Sequence, residues 1–112
     1  MSMYDAIQEM IDKFHAKVED EENEKLRKKL DGVVKIMNID LGDEKYSMKL
    51  DNAKITDYRE GLAEDADIVY ASTPEVLQAL IDRTLRPMRG YLTKKFTVKG
   101  KLEDIMYLKS LF

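Results

Sequence analysis

The sequence predicts an α+β fold: a five-stranded, mainly antiparallel sheet with helices packed on one face, in the order ααββββααβα. Three observations predict it. Apolar residues recur at three- and four-residue spacing at the start of the chain and again after residue 72. The middle of the chain alternates apolar and polar residues between short turns. The two kinds of segment are largely segregated along the sequence, as α+β folds require. With 112 residues the chain fits one domain, 1–112, with a single modest core.

Met3, Ile7, Met10, Ile11, Phe14 and Val18 form the stripe of the first helix, with Ser2 as a candidate cap and Asp5 at the box position. The run Glu19-Asp20-Glu21-Glu22 breaks it by like-charge repulsion. Leu26 and Leu30 mark a second helix that ends at Asp31-Gly32. Val33 to Leu41 reads as a first strand, rich in β-branched residues. Tyr46, Met48 and Leu50 give a second, Ala53 to Tyr58 a third, and Ile68 to Ala71 a fourth. Their short connections imply an antiparallel meander. Ser72-Thr73-Pro74-Glu75 starts a helix in one of two ways: Ser72 with Glu75 as a capping box, or Thr73 as cap with Pro74 at the first helical position. Val76, Leu77, Leu80 and Ile81 are its apolar face. Leu85-Arg86-Pro87 restarts the chain into a short helix with Met88, Tyr91 and Leu92. Phe96 and Val98 mark the fifth strand. From Gly100 a last helix carries Leu102, Ile105, Met106, Leu108, Leu111 and Phe112, so many apolar residues that it is expected to be covered on more than one side or to lie beside something apolar.

Composition removes most chemistry. There is no Cys and one His, so disulfide scaffolds, thiolate zinc sites and multi-histidine metal centres are excluded. A formal net charge of −3 argues against a generally basic nucleic-acid binder. The start, Met1-Ser2-Met3-Tyr4-Asp5, does not read as a secretory signal, and a cytoplasmic location is expected. His15 has no companion nucleophile or orienting acid in any recognisable pattern, and reads as a surface residue. The acidic clusters lack the spacing of a calcium loop, and the five glycines match no phosphate-binding motif. No metal, no cofactor and no enzymatic activity are expected.

Two features stand out from this background. Arg83, Arg86, Arg89, Lys94, Lys95, Lys99 and Lys101 occupy one stretch without an acid, interleaved with Met88, Tyr91, Leu92 and Phe96. Such a stretch suits an anionic membrane surface or a lipid head group; it also suits simple solvation of one end of the domain, and a nucleic acid less well, for lack of an aromatic platform. Met37, Met48, Met88 and Met106 each fall on an apolar face of a different element. Methionine fills irregular space and is frequent where apolar surfaces adapt to varied ligands, although an ordinary core uses it too.

From Ala66-Asp67-Ile68-Val69 to the end, the chain resembles the sterol carrier protein type 2 family of sterol and lipid-transfer domains. The residues that carry the resemblance are the strand ending at Ser72 and its capped helix with Leu80-Ile81, then Leu85-Arg86-Pro87, then Phe96-Thr97-Val98-Lys99-Gly100 leading into Ile105-Met106-Tyr107-Leu108-Lys109-Ser110-Leu111-Phe112. The first half matches by element order only. The resemblance implies an apolar tunnel between sheet and helices that holds a fatty acyl chain, acyl-CoA, phospholipid or sterol without covalent chemistry. It implies a lining of Leu77, Leu80, Ile81, Leu85, Met88, Tyr91, Leu92, Phe96, Met106 and Phe112, with Met37, Met48 and Leu50 from the sheet. Arg86, Arg89 and Lys94 are the expected head-group or membrane contacts. The chain departs from the family at Arg83 and Lys94, where glycines are common, and at Gly90, where alanine is usual; Ser110-Leu111-Phe112 is not a peroxisomal address. The alternative function is a structural or interaction module with a closed core, possible as a homodimer and binding no lipid.

Overall fold

The fold is given by a computed structural model that describes residues 2–107. Helix α1 spans Tyr4–Glu19 and α2 spans Glu24–Leu30. Strands β1 (Val34–Asp40), β2 (Lys45–Asp51), β3 (Lys54–Glu60) and β4 (Ile68–Ala71) follow. Then come α3 (Pro74–Ile81), α4 (Pro87–Leu92), β5 (Thr97–Gly100) and α5 (Leu102–Ile105). This is the expected element order. Phe112 and the rest of the expected last helix beyond residue 107 lie outside the described residues.

The acidic run breaks the first helix as its charges require. Asp20 accepts from Glu22 N at 2.9 Å and starts a 3-10 turn, Glu21–Asn23. Arg27 then stitches the break by donating Nη1 to the carbonyls of Val18 (2.7 Å) and Asp20 (2.6 Å). The expected Ser2 cap is only partly realised. Ser2 Oγ accepts from Tyr4 N, but the cap residue is Met3, whose own N–H donates to Glu44 at 2.7 Å. At α3 the structure selects the second option: Thr73 Oγ1 accepts from Val76 N, with Pro74 opening the helix.

The sheet order is β3-β2-β1-β4-β5. The expected meander therefore holds only through β3. The chain next crosses the sheet and places β4 parallel to β1, with Met37 opposite Ile68 and Ile39 opposite Tyr70. The sheet is mixed, with antiparallel partners elsewhere. Residues 61–67 make the crossing over the face opposite α1, and Asn38 holds them there. Its Nδ2 donates to Ala63 O and its Oδ1 accepts from Ala63 N, both at 2.9 Å. One polar side chain thereby gives the crossing the two-way pairing of a strand neighbour. A short connection misled the meander reading because seven loop residues suffice when a side chain supplies the missing partner.

β3 carries a bulge opposite Met48, where Asp57 takes a left-handed φ of 54°. Ile55 and Tyr58 are three apart and would face opposite ways in a regular strand. The extra residue returns both to the helix side, where Tyr58 stacks on Tyr4 (4.6 Å) and donates to Tyr4 O (2.7 Å). His15 is not the surface residue expected: half-buried, it accepts the Ile55 N–H through Nε2 at 2.9 Å, covering a backbone group on the edge strand. In α5 the buried residue is Asp104, 2% exposed, whereas Leu102 is 78% exposed. In the described part of this helix the inward-facing residue is thus Asp104, which meets Lys35 Nζ at 2.9 Å, while the apolar residues Leu108, Leu111 and Phe112 that prompted the expected covering lie outside the described residues.

Two carboxylates tie the β1–β2 turn. Glu44 is held below its ordinary value of 4.5 mainly by the Tyr46 hydroxyl and then by Met3 N–H. Asp40 is held below 3.8 by Lys45 and then by Gly42 N–H. A depressed folded value stabilises fully above the unfolded value and is lost as pH falls through the folded one. Thermal midpoints are therefore expected to drop as pH falls below about 4.5, and Glu44→Gln is expected to reduce that slope in a pH series of melts. An unchanged slope in the variant would remove Glu44 from this role.

Candidate functional site between sheet and helices

Alternation along the strands sends Met37, Ile39, Tyr46, Met48, Leu50, Ile68 and Tyr70 toward the helices, and all are buried. Under α1 this layer is occupied by apolar side chains. Ile7, Met10, Ile11, Phe14 and Val18 bury into it, and Tyr4, Tyr46 and Tyr58 cluster at its end with ring centroids 4.6 to 6.1 Å apart. Met37, Met48 and Leu50, expected as lining, belong to this packed core.

The second half of the layer is built by β4, β5 and the helices after residue 74. Leu77 and Leu80 are buried, and Ile81, Leu85 and Val98 pack partly buried against the core. Phe96 lies 5.3 Å from Tyr70 by ring centroid, and Tyr91 lies 6.2 Å from Phe96. Gly90 is the seat of α4: a Cβ there would stand 2.8 Å from Phe96 Cε2 and 3.1 Å from Leu85 Cδ2. The glycine that replaces the usual alanine is thus explained by close approach to the Phe96 ring.

The structure places the predicted lining residues in two groups. Met37, Met48, Leu50, Leu77, Leu80 and Phe96 are buried, with Ile81 and Leu85 half-buried beside them. Met88, Tyr91 and Leu92 are exposed on α4, where Gly90 rather than an apolar side chain faces inward, and Met106 is exposed at the end of α5. Arg86, Arg89 and Lys94 are exposed around the same helix.

Sequence reasoning missed Tyr70. Its hydroxyl is buried in the apolar layer with no hydrogen-bond partner among the described residues. Ser72 lies near enough to temper the shift but donates its own hydroxyl to Thr73 O at 2.8 Å. Burial pushes the phenol up to about 12, so it stays a neutral donor. The signal was present: Ile68 and Tyr70 are two apart on one strand, so the hydroxyl had to enter the core with them.

Two clefts formed by described residues lie outside this layer. One, of about 370 Å³, sits beside the crossing loop and is lined by Ile36, Ser47, Lys49, Arg59 and Leu62 among others. The other, of about 360 Å³, adjoins the β1–β2 turn. Among the described residues no group of His, Cys, Asp and Glu could hold a metal ion, and no helix is long and apolar enough to cross a membrane.

No curated protein matches the chain. Among solved structures it is similar to the ubiquinone synthesis protein UbiJ-SCP2, at 17% identity and TM-score 0.69, covering 97% of this chain and 91% of that one. It is similar to palmitated SCP2L2 from Aedes aegypti, at 18% identity and TM-score 0.59, covering 90% and 87%. The sec-alkylsulfatase Pisa1 from Pseudomonas sp. shares the fold over 76% of this chain, at 18% identity and TM-score 0.61, but the match spans only 13% of that enzyme. At these identities the likenesses show the fold. The family model of the SCP-2 sterol transfer family matches residues 11–112. By that match over nearly its whole length, the chain belongs to the SCP-2 sterol transfer family.

Proposed function

We propose that this chain binds an apolar lipid with one polar end, without covalent chemistry, between its sheet and helices α3 to α5. Family membership supports lipid binding or transfer in general, and the palmitated Aedes aegypti relative supports an acyl chain as cargo. The observation that carries the finer reading is the Tyr70 hydroxyl, buried and neutral beside Phe96 with no partner among the described residues. An unpaired buried hydroxyl costs about 1–3 kcal/mol; a ligand's hydroxyl, carbonyl or carboxyl oxygen would recover it. The chain itself gains about 0.8 kcal/mol for each methylene withdrawn from water. Transfer in the cytoplasm is the setting we assign.

Native mass spectrometry after gentle purification and titration with a fluorescent fatty acid test the reading; no bound species and no saturable binding would end it. Tyr70→Phe gives a sharper test. The variant is expected to fold at least as stably, because it removes an unsatisfied group. Its affinity for fatty acids and fatty alcohols is expected to fall about fivefold, the worth of one hydrogen bond near 1 kcal/mol. Unchanged affinity would take Tyr70 out of the site. The packed layer under α1 favours a second reading, an interaction module with a closed core. A concentration-dependent mass without ligand binding would select it, with a homodimer as the product.

A further inference from the structure

The outer face of α4 reverses the usual arrangement of a surface helix. At 100° per residue, Met88 and Leu92 stand within about 20° of the direction opposite Gly90, and Arg89 and Tyr91 flank them on either side. Gly90 is buried against Phe96, so the Met88–Leu92 ridge is forced outward. Met88 is 59%, Tyr91 52% and Leu92 71% exposed.

Cations ring this ridge, and two of them sit where the backbone favours glycine. Helix α3 ends with Thr84 N donating to Ala79 O and Arg83 N to Leu80 O; α4 ends with Lys95 N donating to Gly90 O and Lys94 N to Tyr91 O. Both are Schellman endings, whose left-handed residue is usually glycine. Here those residues are Arg83 (φ 63°) and Lys94 (φ 58°). Arg86, Arg89 and Lys95 are exposed nearby, and no acid occurs between Asp82 and Glu103. The backbone strain at two sites and the outward apolar ridge are independent departures from a stable water-facing surface, and one occupant accounts for both.

We propose that α4 and its two flanking helix ends dock this domain on an anionic lipid bilayer. The Met88–Tyr91–Leu92 ridge enters the boundary between head groups and acyl chains, while Arg83, Arg86, Arg89, Lys94 and Lys95 meet the phosphate layer. A nucleic acid fits the charge but leaves the ridge without a partner. The surface is distinct from the interior layer, and this inference does not depend on the lipid-binding reading.

Co-flotation with vesicles of 30% phosphatidylglycerol in phosphatidylcholine, and with phosphatidylcholine alone, provides the test. The full chain is expected to bind the anionic vesicles at least tenfold more tightly, with binding lost on raising the salt. Leu92→Ser with Met88→Ser is expected to lose at least tenfold without a lower thermal midpoint. Lys94→Gly is expected to melt higher while binding about fivefold more weakly, a combination that a damaged fold cannot produce. Equal binding to both vesicles, no binding, or full binding by Lys94→Gly would overturn the proposal, as would salt-sensitive retention by a duplex DNA but not by vesicles. Fatty-acid titration of the wild-type chain without vesicles reads the interior separately, so either reading can fail alone.

Discussion

Gly100→Ala is expected to destabilise the fold by about 2–4 kcal/mol, the sum of a strained backbone and an overpacked contact. Gly100 pairs with Ile68 across β4 and β5 at a φ of 147°, a conformation that side chains avoid. A Cβ there would stand 2.6 Å from the carbonyl oxygen of Asp67. That carbonyl cannot retreat cheaply. Asp67 N donates to Ile36 O at 2.8 Å, and Ile36 N donates to Asp67 Oδ2 at 2.9 Å, so the residue is fixed to β1. The loss is expected at the junction where α5 leaves the sheet. Urea unfolding should show a lower midpoint at an unchanged slope. A midpoint equal to wild type would mean that β5 shifts without cost.

Asn38→Ala is expected to cost about 2–3 kcal/mol, because two hydrogen bonds disappear and both backbone groups of Ala63 lose their partner. Asn38 is 5% exposed, and its side chain holds the crossing loop through both a donor and an acceptor. Asn38→Asp discriminates between packing and pairing. It keeps the shape and the acceptor but points a carboxylate at the Ala63 carbonyl. The gap between this variant and wild type is expected to narrow as pH falls through the ordinary carboxylate range, where the acid regains a donor. Trypsin should cut faster after Arg59 in both variants at neutral pH. A constant gap across pH would show that Asn38 acts by packing alone.

Much of the fold was legible because local rules decided it. The α1 stripe, the acidic break, a helix start within Ser72 to Glu75 and the five strands all follow from spacing and caps; the choice of Thr73 over Ser72 as cap came from the structure. The parallel seat of β4 was not, because nothing local in Glu60 to Asp67 says that Asn38 receives the crossing loop. The candidate interior layer was half legible. Periodicity identifies Leu77, Leu80 and Phe96 as inward, but it also turned Met88, Tyr91 and Leu92 inward. Their true direction is set by Gly90 against Phe96, a contact between the helix and the connection that follows it, which helical periodicity does not contain. Tyr70 was readable from strand alternation, but a hydroxyl in an apolar row draws notice only once its lack of a partner is seen.

The parallel pairing of β4 with β1 has a consequence for how the chain is made. β1 is the central strand, yet its second edge is filled by residues that emerge 31 positions after Asp40, the separation of Asp40 and Ala71. At a synthesis rate of about 5–20 residues per second, that edge stays open for roughly 2–6 s after β1 itself has emerged. During this interval Ile36, Met37 and Ile39 belong to a template that another chain can extend. Lys35 and Asp40 punctuate this strand with charge at positions that disfavour such pairing, so the nascent chain carries its own protection until β4 arrives.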